Sequence, residues 1–250
     1  MNFLVFRLYG PLASWGEAAV GGDRPSACYP SRSAILGLLG AALGIRRGEH
    51  QRLEQLRQTV MLGVKQYTCG TLLRDYHTTQ VPTQDKKRVL RTRKDELSDA
   101  LKLNTVLSTR DYRSDGMWVV AIWLKDGTEL NLQTLQQHLI KPKFILSLGR
   151  KSCPLAAPLV PVIVESSDLK SALDTEFPPL LEARNQDAMW LNIPDTVTYY
   201  WQGDSRLLKL SSEDATKVQS HTRWDEPIHR ERWQFANRLE HQVVLSQEAN

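Results

Sequence analysis

The sequence has little cysteine and no long hydrophobic run, and each of these features argues against one class of protein. Three cysteines, Cys28, Cys69 and Cys153, occur among 250 residues, and their spacing fits neither a zinc site nor a disulfide framework. A sparse, odd number of cysteines is typical of the reducing cytoplasm. The longest apolar stretch, residues 34–45, is shorter than the roughly 20 residues of a membrane-spanning helix. We therefore expect a cytoplasmic protein with no membrane partner.

Motifs for nucleotide and nucleophile chemistry are also missing. The sequence has no P-loop, no Gly-x-Gly-x-x-Gly turn, no Gly-x-Ser-x-Gly elbow and no two histidines at zinc-ligand spacing. Gly37 and Gly40 lie inside a helical stretch and do not open one, so they form no dinucleotide fingerprint. We expect no metal and no cofactor. The net charge of +4 is mildly basic and favours a polyanionic partner.

Six segments predict the main fold. They alternate as strand, helix, strand, strand, helix, strand: Phe3–Tyr9, Ser33–Leu43, Val60–Thr68, Met117–Lys125, Leu130–Leu139 and Leu159–Glu165. This order predicts an α+β chain with a ferredoxin-like domain, the fold of the RNA-recognition motif. The first segment is interpreted as a strand and not a signal peptide, since no basic run precedes it. The strand Met117–Lys125 is apolar throughout, which predicts a central position.

Further elements are predicted outside this unit. A short amphipathic helix is expected at 49–58 and another at 167–173, with strand pieces at 188–193 and 196–201. We divide the chain into a palm at 1–75 and 114–165, a thumb insertion at 76–113 and a C-terminal extension at 166–250.

About forty residues, Arg74–Arg113, separate two strands that would normally be joined by a short hairpin loop. The segment holds ten basic and six acidic residues, and 86–94 holds six basic residues and no acid. We interpret it as a protruding, basic arm, and the alternative is a solvated, mobile loop. The basic run predicts contacts with a partner through Lys86, Lys87, Arg88, Arg91, Arg93 and Lys94.

Residues 29–44 combine a polar loop with a helix that is apolar on every side, which is typical of a buried helix. Gly37 and Gly40 weaken such a helix, so we expect another backbone to pass close to them. Ser31 or Ser33 can cap the N-terminus, where free N–H groups suit an anion such as phosphate. The alternative is a core helix with a polar leading loop.

Three separated loops combine basic residues with glycine, proline and aromatic residues. That combination suits single-stranded RNA, because cations bind phosphates and aromatic rings stack on unpaired bases. The predicted RNA-binding residues are Arg24, Tyr29, Ser31, Arg32, Ser33, Arg74, Tyr76, His77, Arg110, Tyr112, Gly149, Arg150, Lys151 and Ser152. The prediction requires the three loops to converge into one cationic cradle.

Two other functions remain open on these residues. His77 with Tyr76 and a nearby lysine would serve a metal-independent ribonuclease, which needs a base near the 2′-hydroxyl. His77 is equally suited to stacking on a base, hydrogen-bonding one or closing the root of the arm. A free-standing basic RNA-binding protein without protein partners is the third possibility.

The chain resembles the CasD family, the ferredoxin-like subunit of type I-E CRISPR Cascade complexes. The resemblance is carried by short motifs in family order along the chain: Leu8-Tyr9-Gly10-Pro11, Trp15-Gly16, Arg24-Pro25, Tyr29-Pro30-Ser31-Arg32-Ser33, Leu36-Gly37-Leu38-Leu39-Gly40-Ala41, Arg74-Asp75-Tyr76-His77, Leu148-Gly149-Arg150-Lys151-Ser152-Cys153-Pro154-Leu155 and Asp225-Glu226-Pro227. It is tight over 1–77 and 117–162 and loose over 163–222.

The resemblance implies a function beyond what composition indicates. Members of this family bind and cap the 5′ handle of the guide RNA, and their thumb packs on the backbone subunit. They also contact the large subunit, and the assembled complex recognises target DNA. In type I-E systems another subunit cuts the guide, so a non-catalytic role is implied; a sister family in type I-C systems does cleave. The sheet lacks the aromatic consensus of an RNA-recognition motif, so loops and thumb are expected to hold the RNA.

Overall fold

The computed structural model describes residues 1–17, 19, 21–84, 89–181, 184–229, 232 and 234–247. Its strands and helices, in chain order, are β1 (Asn2–Tyr9), β2 (Leu12–Ala13), β3 (Asp23–Arg24), α1 (Arg32–Leu43), α2 (His50–Thr59), β4 (Val60–Thr68), β5 (Thr71–Pro82), α3 (Arg93–Glu96), β6 (Leu103–Ser114), β7 (Met117–Leu124), α4 (Leu132–Ile140), β8 (Val162–Glu165), α5 (Leu169–Leu173), α6 (Arg184–Trp190), β9 (Thr196–Trp201), α7 (Ser212–Ala215), β10 (Gln219–His229) and β11 (Gln234–Ser246). No helix in these ranges is long and apolar enough to cross a bilayer.

One large antiparallel sheet organises the molecule. Its seven strands run in the order β10-β11-β9-β4-β7-β1-β8, and every neighbouring pair is antiparallel. The α+β class is therefore confirmed, as is the central position of β7, which lies between β4 and β1. The last three strands of the chain extend the same sheet beyond β4, so the C-terminal segment is part of its hydrogen-bonded network.

Both faces of the sheet are covered. On one face, Phe6, Leu62 and Trp118 pack with α1 and α4 in a large core. On the other face, Val119 and Trp201 pack with α5 in a second core. Because both faces are buried, β7 is apolar throughout and β1 is apolar from Phe3 to Tyr9 except for the buried Arg7. The middle of the sheet offers no open aromatic face for RNA bases among the described residues.

The buried helix α1 forms as its sequence predicts. Ser31 is its N-cap and accepts a hydrogen bond from the Ala34 N–H, while Gly44 ends it with a φ of 72°. The expectation that its internal glycines admit another backbone is wrong. A Cβ built on Gly40 would meet only a Leu53 side-chain carbon at 3.8 Å, and one on Gly37 would meet nothing within 4 Å.

Gly37→Ala should therefore stabilise the protein. The alanine removes the conformational entropy penalty of a mid-helix glycine and meets no neighbour, so the free energy of unfolding should rise by about 0.5–1 kcal/mol. Urea unfolding measures the change. Gly44→Ala is the matched control and should destabilise, because its positive φ is strained for alanine and its Cβ would crowd Lys143. A destabilised Gly37→Ala variant would show that this position has a neighbour that the structure does not show.

The described part of the insertion is a hairpin, and we call residues 71–114 the thumb hairpin. Strands β5 and β6 pair continuously from Thr71 opposite Ser114 to Pro82 opposite Leu103. Near the tip, Thr92 caps the short helix α3 in a capping box with Asp95. At the base, β2 and β3 both pair with β6 and tie the hairpin to the loops that precede α1.

Two segments differ from the sequence prediction. Residues 188–193 were expected as a strand, but 188–190 lie in α6 and 191–193 in the turn after it, because a short apolar run does not distinguish a buried strand from a helix. The buried Asp187 carboxylate accepts the backbone N–H groups of Leu180 and Leu181 and fixes this turn of helix. The strand expected from residue 159 begins only at Val162, since Val160 has a φ of 47° and the following proline donates no hydrogen bond.

Candidate nucleic-acid interface

A cleft of about 950 Å³ opens where the loops leading into α1 meet the loop at 148–154. Its lining includes Ser31 and Ser33 at the N-terminus of α1, Arg24, Gly149 and Arg150 from two loops, and residues of the β10–β11 hairpin. The described lining residues are Ser14, Gly16, Glu17, Ala19, Gly21, Arg24, Pro25, Ser31, Ser33, Ala34, Arg47, Gly149, Arg150, Trp224, Asp225, Pro227, Gln234 and Phe235. We call this feature the cleft.

Arg32 does not line the cleft, although it lies at the first position of α1. Its side chain is only 4% exposed, and its guanidinium donates to the Glu226 carboxylate, to Gln202 and to the carbonyl oxygens of Arg57 and Val60. All of this hydrogen bonding is internal. The structure thus gives Arg32 a role in joining α1 to the C-terminal hairpin.

The N-terminus of α1 already holds an anion from the protein itself. The Arg32 backbone N–H donates to the Asp225 Oδ2 at 2.7 Å, and Ser31 Oγ accepts from the Ala34 N–H at 3.2 Å. A phosphate at this end of the helix was expected from the sequence. The carboxylate of Asp225 occupies that place instead, because it satisfies the same free N–H group and the same dipole end.

Tyr29 is likewise used inside the protein. Its hydroxyl donates to Glu240, its ring stacks on Tyr200 with centroids 3.5 Å apart, and the Arg223 guanidinium lies 4.0 Å over it. Burial, with the nearby Glu240 charge, raises the pKa of Tyr29 far above its usual range. Ser31 and Ser33, whose hydroxyls lie 3.0 Å apart, are the members of this segment that border the cleft.

The loop at 148–154 presents Arg150 next to Arg24. Arg150 Nη2 donates to the Arg24 carbonyl oxygen at 3.1 Å, and its guanidinium lies 4.9 Å from the Tyr112 ring centroid. Its Nη1 is buried and finds no acceptor among the described residues. Lys151 and Ser152 follow on the exposed turn. A buried, unpaired guanidinium N–H group is costly unless a ligand supplies the acceptor.

Gly149 permits this arrangement. Its φ is +85°, and an added Cβ would overlap the Ser14 carbonyl oxygen. Gly149→Ala should lower the free energy of unfolding by at least about 2 kcal/mol, since the strain of a left-handed alanine and a backbone clash combine. Thermal or urea unfolding measures it. Gly127→Ala, with a φ of +76° and nothing within 4 Å, isolates the strain alone and should cost less. If both variants lost the same free energy of unfolding, the close approach of residue 149 to the Ser14 carbonyl oxygen would be contradicted.

The thumb root, defined as residues 71–77 and 108–114, divides the predicted site between two faces. The register pairs Asp75 with Arg110 and His77 with Ser108, so Arg110, Tyr112 and His77 share one face. Arg24, in β3, pairs with Arg110 of β6 and therefore belongs to that face. Arg150 joins it through its contact with the Tyr112 ring. His77 Nδ1 lies 3.8 Å from the Asp75 carboxylate.

The opposite face of the thumb root carries Arg74 and Tyr76. Arg74 makes a two-point ion pair with Asp111, with N···O distances of 2.8 and 3.0 Å. The hydrogen bond from Arg74, opposed by partial burial, keeps the pKa of Asp111 below its usual range. The pair offsets the charge of Arg74, while the Tyr76 ring is 65% exposed. Neither residue is among the described residues that line the cleft.

The basic run near the thumb tip is only partly described. Lys86, Lys87 and Arg88 lie outside the described residues. Arg91 and Lys94 are exposed, and Arg93 pairs with Glu96 and with the Gln80 carbonyl oxygen. No cluster of three or more His, Cys, Asp or Glu side chains that could hold a metal occurs in the described ranges.

The C-terminal hairpin is the part of the site that sequence reasoning missed. Trp224, Pro227 and Phe235 line the cleft, and the signal was a basic, aromatic tail beginning at Arg223. The adjacent Asp225-Glu226 pair belongs to a buried ionic network with Arg32, Arg57, Arg223, Arg238 and Glu240. This network fixes the hairpin against α1.

Comparison with known proteins identifies the family. The family model described as CRISPR-associated protein (Cas_Cas5) matches residues 3–239. The CRISPR system Cascade subunit CasD of Escherichia coli (strain K12) is 36% identical over 174 residues, which is 69% of this chain and 75% of that protein.

Two solved structures have similar folds. One, described as a CRISPR RNA-guided surveillance complex, gives a TM-score of 0.64 at 22% identity, covering 98% of this chain and 90% of the other. A second, described as the crystal structure of a Cas protein, gives a TM-score of 0.60 at 25% identity, with 98% and 95% covered. The family match and the CasD relative agree with the motifs in the sequence, and the chain therefore belongs to the CRISPR-associated Cas5 family and, within it, to the CasD family.

Proposed function

We propose that this protein is a subunit of a Cascade surveillance complex and that it binds the 5′ handle of the guide RNA in the cleft. The meeting of Arg24 and Gly149-Arg150 in a single cleft carries the proposal, and the thumb root adjoins these residues, since Arg110 pairs with Arg24 and the Tyr112 ring contacts Arg150. Its relatives support the assembly, since one is named as a Cascade subunit and the fold of another comes from an RNA-guided surveillance complex.

We infer a ferredoxin-like palm in one half of the sheet, from β4 to the edge strand β8. Four strands lie in the order β4-β7-β1-β8, with α1 between β1 and β4 along the chain and α4 between β7 and β8. The palm takes 1–75 and 114–165, the thumb insertion 76–113 and the C-terminal extension 166–250. Since the extension adds strands and covers the second face with α5, RNA is held by loops at the edge of the palm.

The RNA contacts follow from which cations remain accessible. Arg24, Arg150 and Lys151 bind phosphates, with Gly149, Ser33 and Ser152 beside them, while Arg110, Tyr112 and His77 bind handle nucleotides from the thumb root. Arg32 and Tyr29 act indirectly, because they position the loop and α1. A bent single strand fits this site better than a duplex, whose stacked bases would not enter a cleft.

A non-catalytic role goes with this assignment. The alternative, a metal-independent endoribonuclease that processes repeat RNA, has one observation in its favour: the imidazole of His77 lies near Asp75 on the same face as Arg110. Purified protein incubated with repeat RNA in chelator separates the two. Intact RNA agrees with the binder, and cleavage abolished by His77→Ala establishes the nuclease.

The proposal is tested on the complex itself. Co-expression with the other subunits and a CRISPR array, followed by sequencing of the co-purified RNA, should give a short RNA with one fixed 5′ end. Mixed RNA with scattered 5′ ends, or an assembled complex that forms equally well without this chain, would overturn the proposal.

The thumb should be needed for assembly with the backbone subunit. Replacing residues 84–101 with Asn-Gly leaves β5 and β6 in register, because Thr83 and Lys102 already bond across the hairpin at 2.7 Å. We expect a variant with an unchanged melting temperature that no longer co-purifies with the backbone subunit. A variant that still assembles would place the contact elsewhere. The large subunit and, through it, target DNA are the remaining expected partners.

A further inference from the structure

The β10–β11 hairpin turns two aromatic side chains toward the cleft. Trp224 is 66% exposed and Phe235 is 37% exposed, and the buried Pro227, the partner of Phe235 across the hairpin, also lines the cleft. We call these three residues the aromatic wall. Exposed indole and phenyl rings in a cleft indicate a surface that is covered by a ligand.

A β-bulge presents the tryptophan. Arg223 pairs with Arg238 and Glu226 pairs with Ala236, so two residues of β10 face one residue of β11. Within this bulge Asp225 turns inward and is buried, while Trp224 turns outward. Bulges re-aim side chains and are common beside functional sites. The extra residue lets one strand supply an anchor to α1 and an exposed ring to the cleft.

The anchor makes the aromatic wall rigid. Asp225 accepts from the Arg32 N–H at 2.7 Å and from Arg238 Nε at 2.6 Å, and Glu226 pairs with the guanidinium groups of Arg32 and Arg57. A ring whose backbone is held on both sides loses little freedom when a ligand binds. Such preorganisation favours affinity.

Charge in the cleft selects the kind of ligand. Among the described lining residues Arg24 and Arg150 lie side by side, and the carboxylate of Asp225 is already paired with Arg238. Arg150 Nη1, which has no acceptor in the part of the chain that the structure describes, provides a donor for an anion. Aromatic rings and cations in one cleft match a nucleotide, whose base is flat and whose phosphate is anionic.

We propose that Trp224 stacks on an unpaired base of the RNA whose phosphates bind Arg24 and Arg150, with Phe235 and Pro227 completing the wall. This inference depends on the proposed function and adds a base-binding residue to it. Stacking on tryptophan tolerates any base, so the wall secures a nucleotide without reading the sequence.

The experiment measures binding of two fluorescein-labelled 12-nucleotide strands to the full-length chain. One strand is oligoadenylate RNA, and the other has the same sugar-phosphate backbone with abasic positions. Trp224→Ala should weaken oligoadenylate binding about tenfold, leave the salt dependence unchanged and leave binding of the abasic strand unchanged. Trp224→Phe should stay within about threefold of the unmodified chain, because a phenyl ring still stacks. Trp190→Ala removes an exposed tryptophan outside the cleft and should change nothing.

The outcomes separate this inference from the proposed function. If oligoadenylate binds but Trp224→Ala leaves its affinity intact, the stacking inference is overturned, and loss of assembly in that variant would identify the wall as a protein interface. If Trp224→Ala weakens binding of the abasic strand as much as binding of oligoadenylate, the stacking inference is also overturned, since the substitution would then act by changing the structure. If the chain binds neither strand, both the stacking inference and the proposed function fail.

Discussion

Reversing the charges of Arg24 and Arg150 together, as Arg24→Glu with Arg150→Glu, will weaken guide RNA binding by about 100-fold or more at 0.1 M salt. Each arginine supplies a charge-assisted contact of about 1.5–3 kcal/mol, and the glutamates add repulsion. The slope of log affinity against log salt should fall by about 1.4, because roughly 0.7 is lost for each phosphate contact on a single strand. Fluorescence anisotropy over a salt series measures both quantities.

A charge-matched control distinguishes the cleft from a general effect of net charge. Arg206→Glu with Lys209→Glu makes the same change of charge beside Phe3 and Leu169, on the sheet face that α5 covers. This variant should bind guide RNA nearly as well as the unmodified chain. Equal losses in both variants would mean that bulk charge, and not the cleft, determines affinity.

Asp225→Asn will destabilise the protein by about 3–5 kcal/mol, because it leaves the buried charge of Arg238 without its main partner. The same change weakens the cap on α1 and frees the C-terminal hairpin, so RNA affinity should fall even where the protein stays folded. Urea unfolding measures the stability. Glu49→Gln, which removes an exposed ion pair with Arg52, is the control and should have no detectable effect on stability.

The Asp225 network also predicts a response to acid. Burial would raise the pKa of Asp225, but the hydrogen bonds and charge of Arg238, with Arg223 and the Arg32 N–H, hold this pKa below its usual range. A lowered folded-state pKa means that its stabilisation is complete above about pH 4, the unfolded value, and is lost as the pH falls below it. Stability should decline less steeply below pH 4 in Asp225→Asn. If the free energy of unfolding declines equally steeply in the unmodified chain and in Asp225→Asn, Asp225 is not the group that titrates.

Local patterns were sufficient for most elements of the palm and insufficient for the contacts between distant charges. Strands β4 and β9 begin and end where alternation and β-branched residues predicted, and Ser31 caps α1 as expected. Arg32, by contrast, was predicted to bind RNA, yet it is buried against Glu226, which is 194 positions away along the chain. No local pattern marks which basic residue has found an acidic partner so far along the chain.

Sequence motifs predicted only some of the residues that line the cleft. The arginines and glycines of the first and third loops were visible as motifs, because glycine and basic residues cluster there. The aromatic wall was visible only as a basic, aromatic tail, since a β-bulge and a network of buried ions decide where Trp224 points. The division of the thumb root into two faces follows from strand register, which the sequence leaves open.

Photo-cross-linking from the cleft tests directly whether the 5′ handle of the guide RNA lies there. Benzoylphenylalanine replaces Phe235 in the assembled complex, and Lys209, on the α5 side of the sheet, is replaced in a control complex. After irradiation, we expect position 235 to cross-link to the repeat-derived 5′ segment of the guide and position 209 to give no RNA cross-link. Cross-links from position 235 only to the target-pairing part of the guide, or none at all, would contradict it.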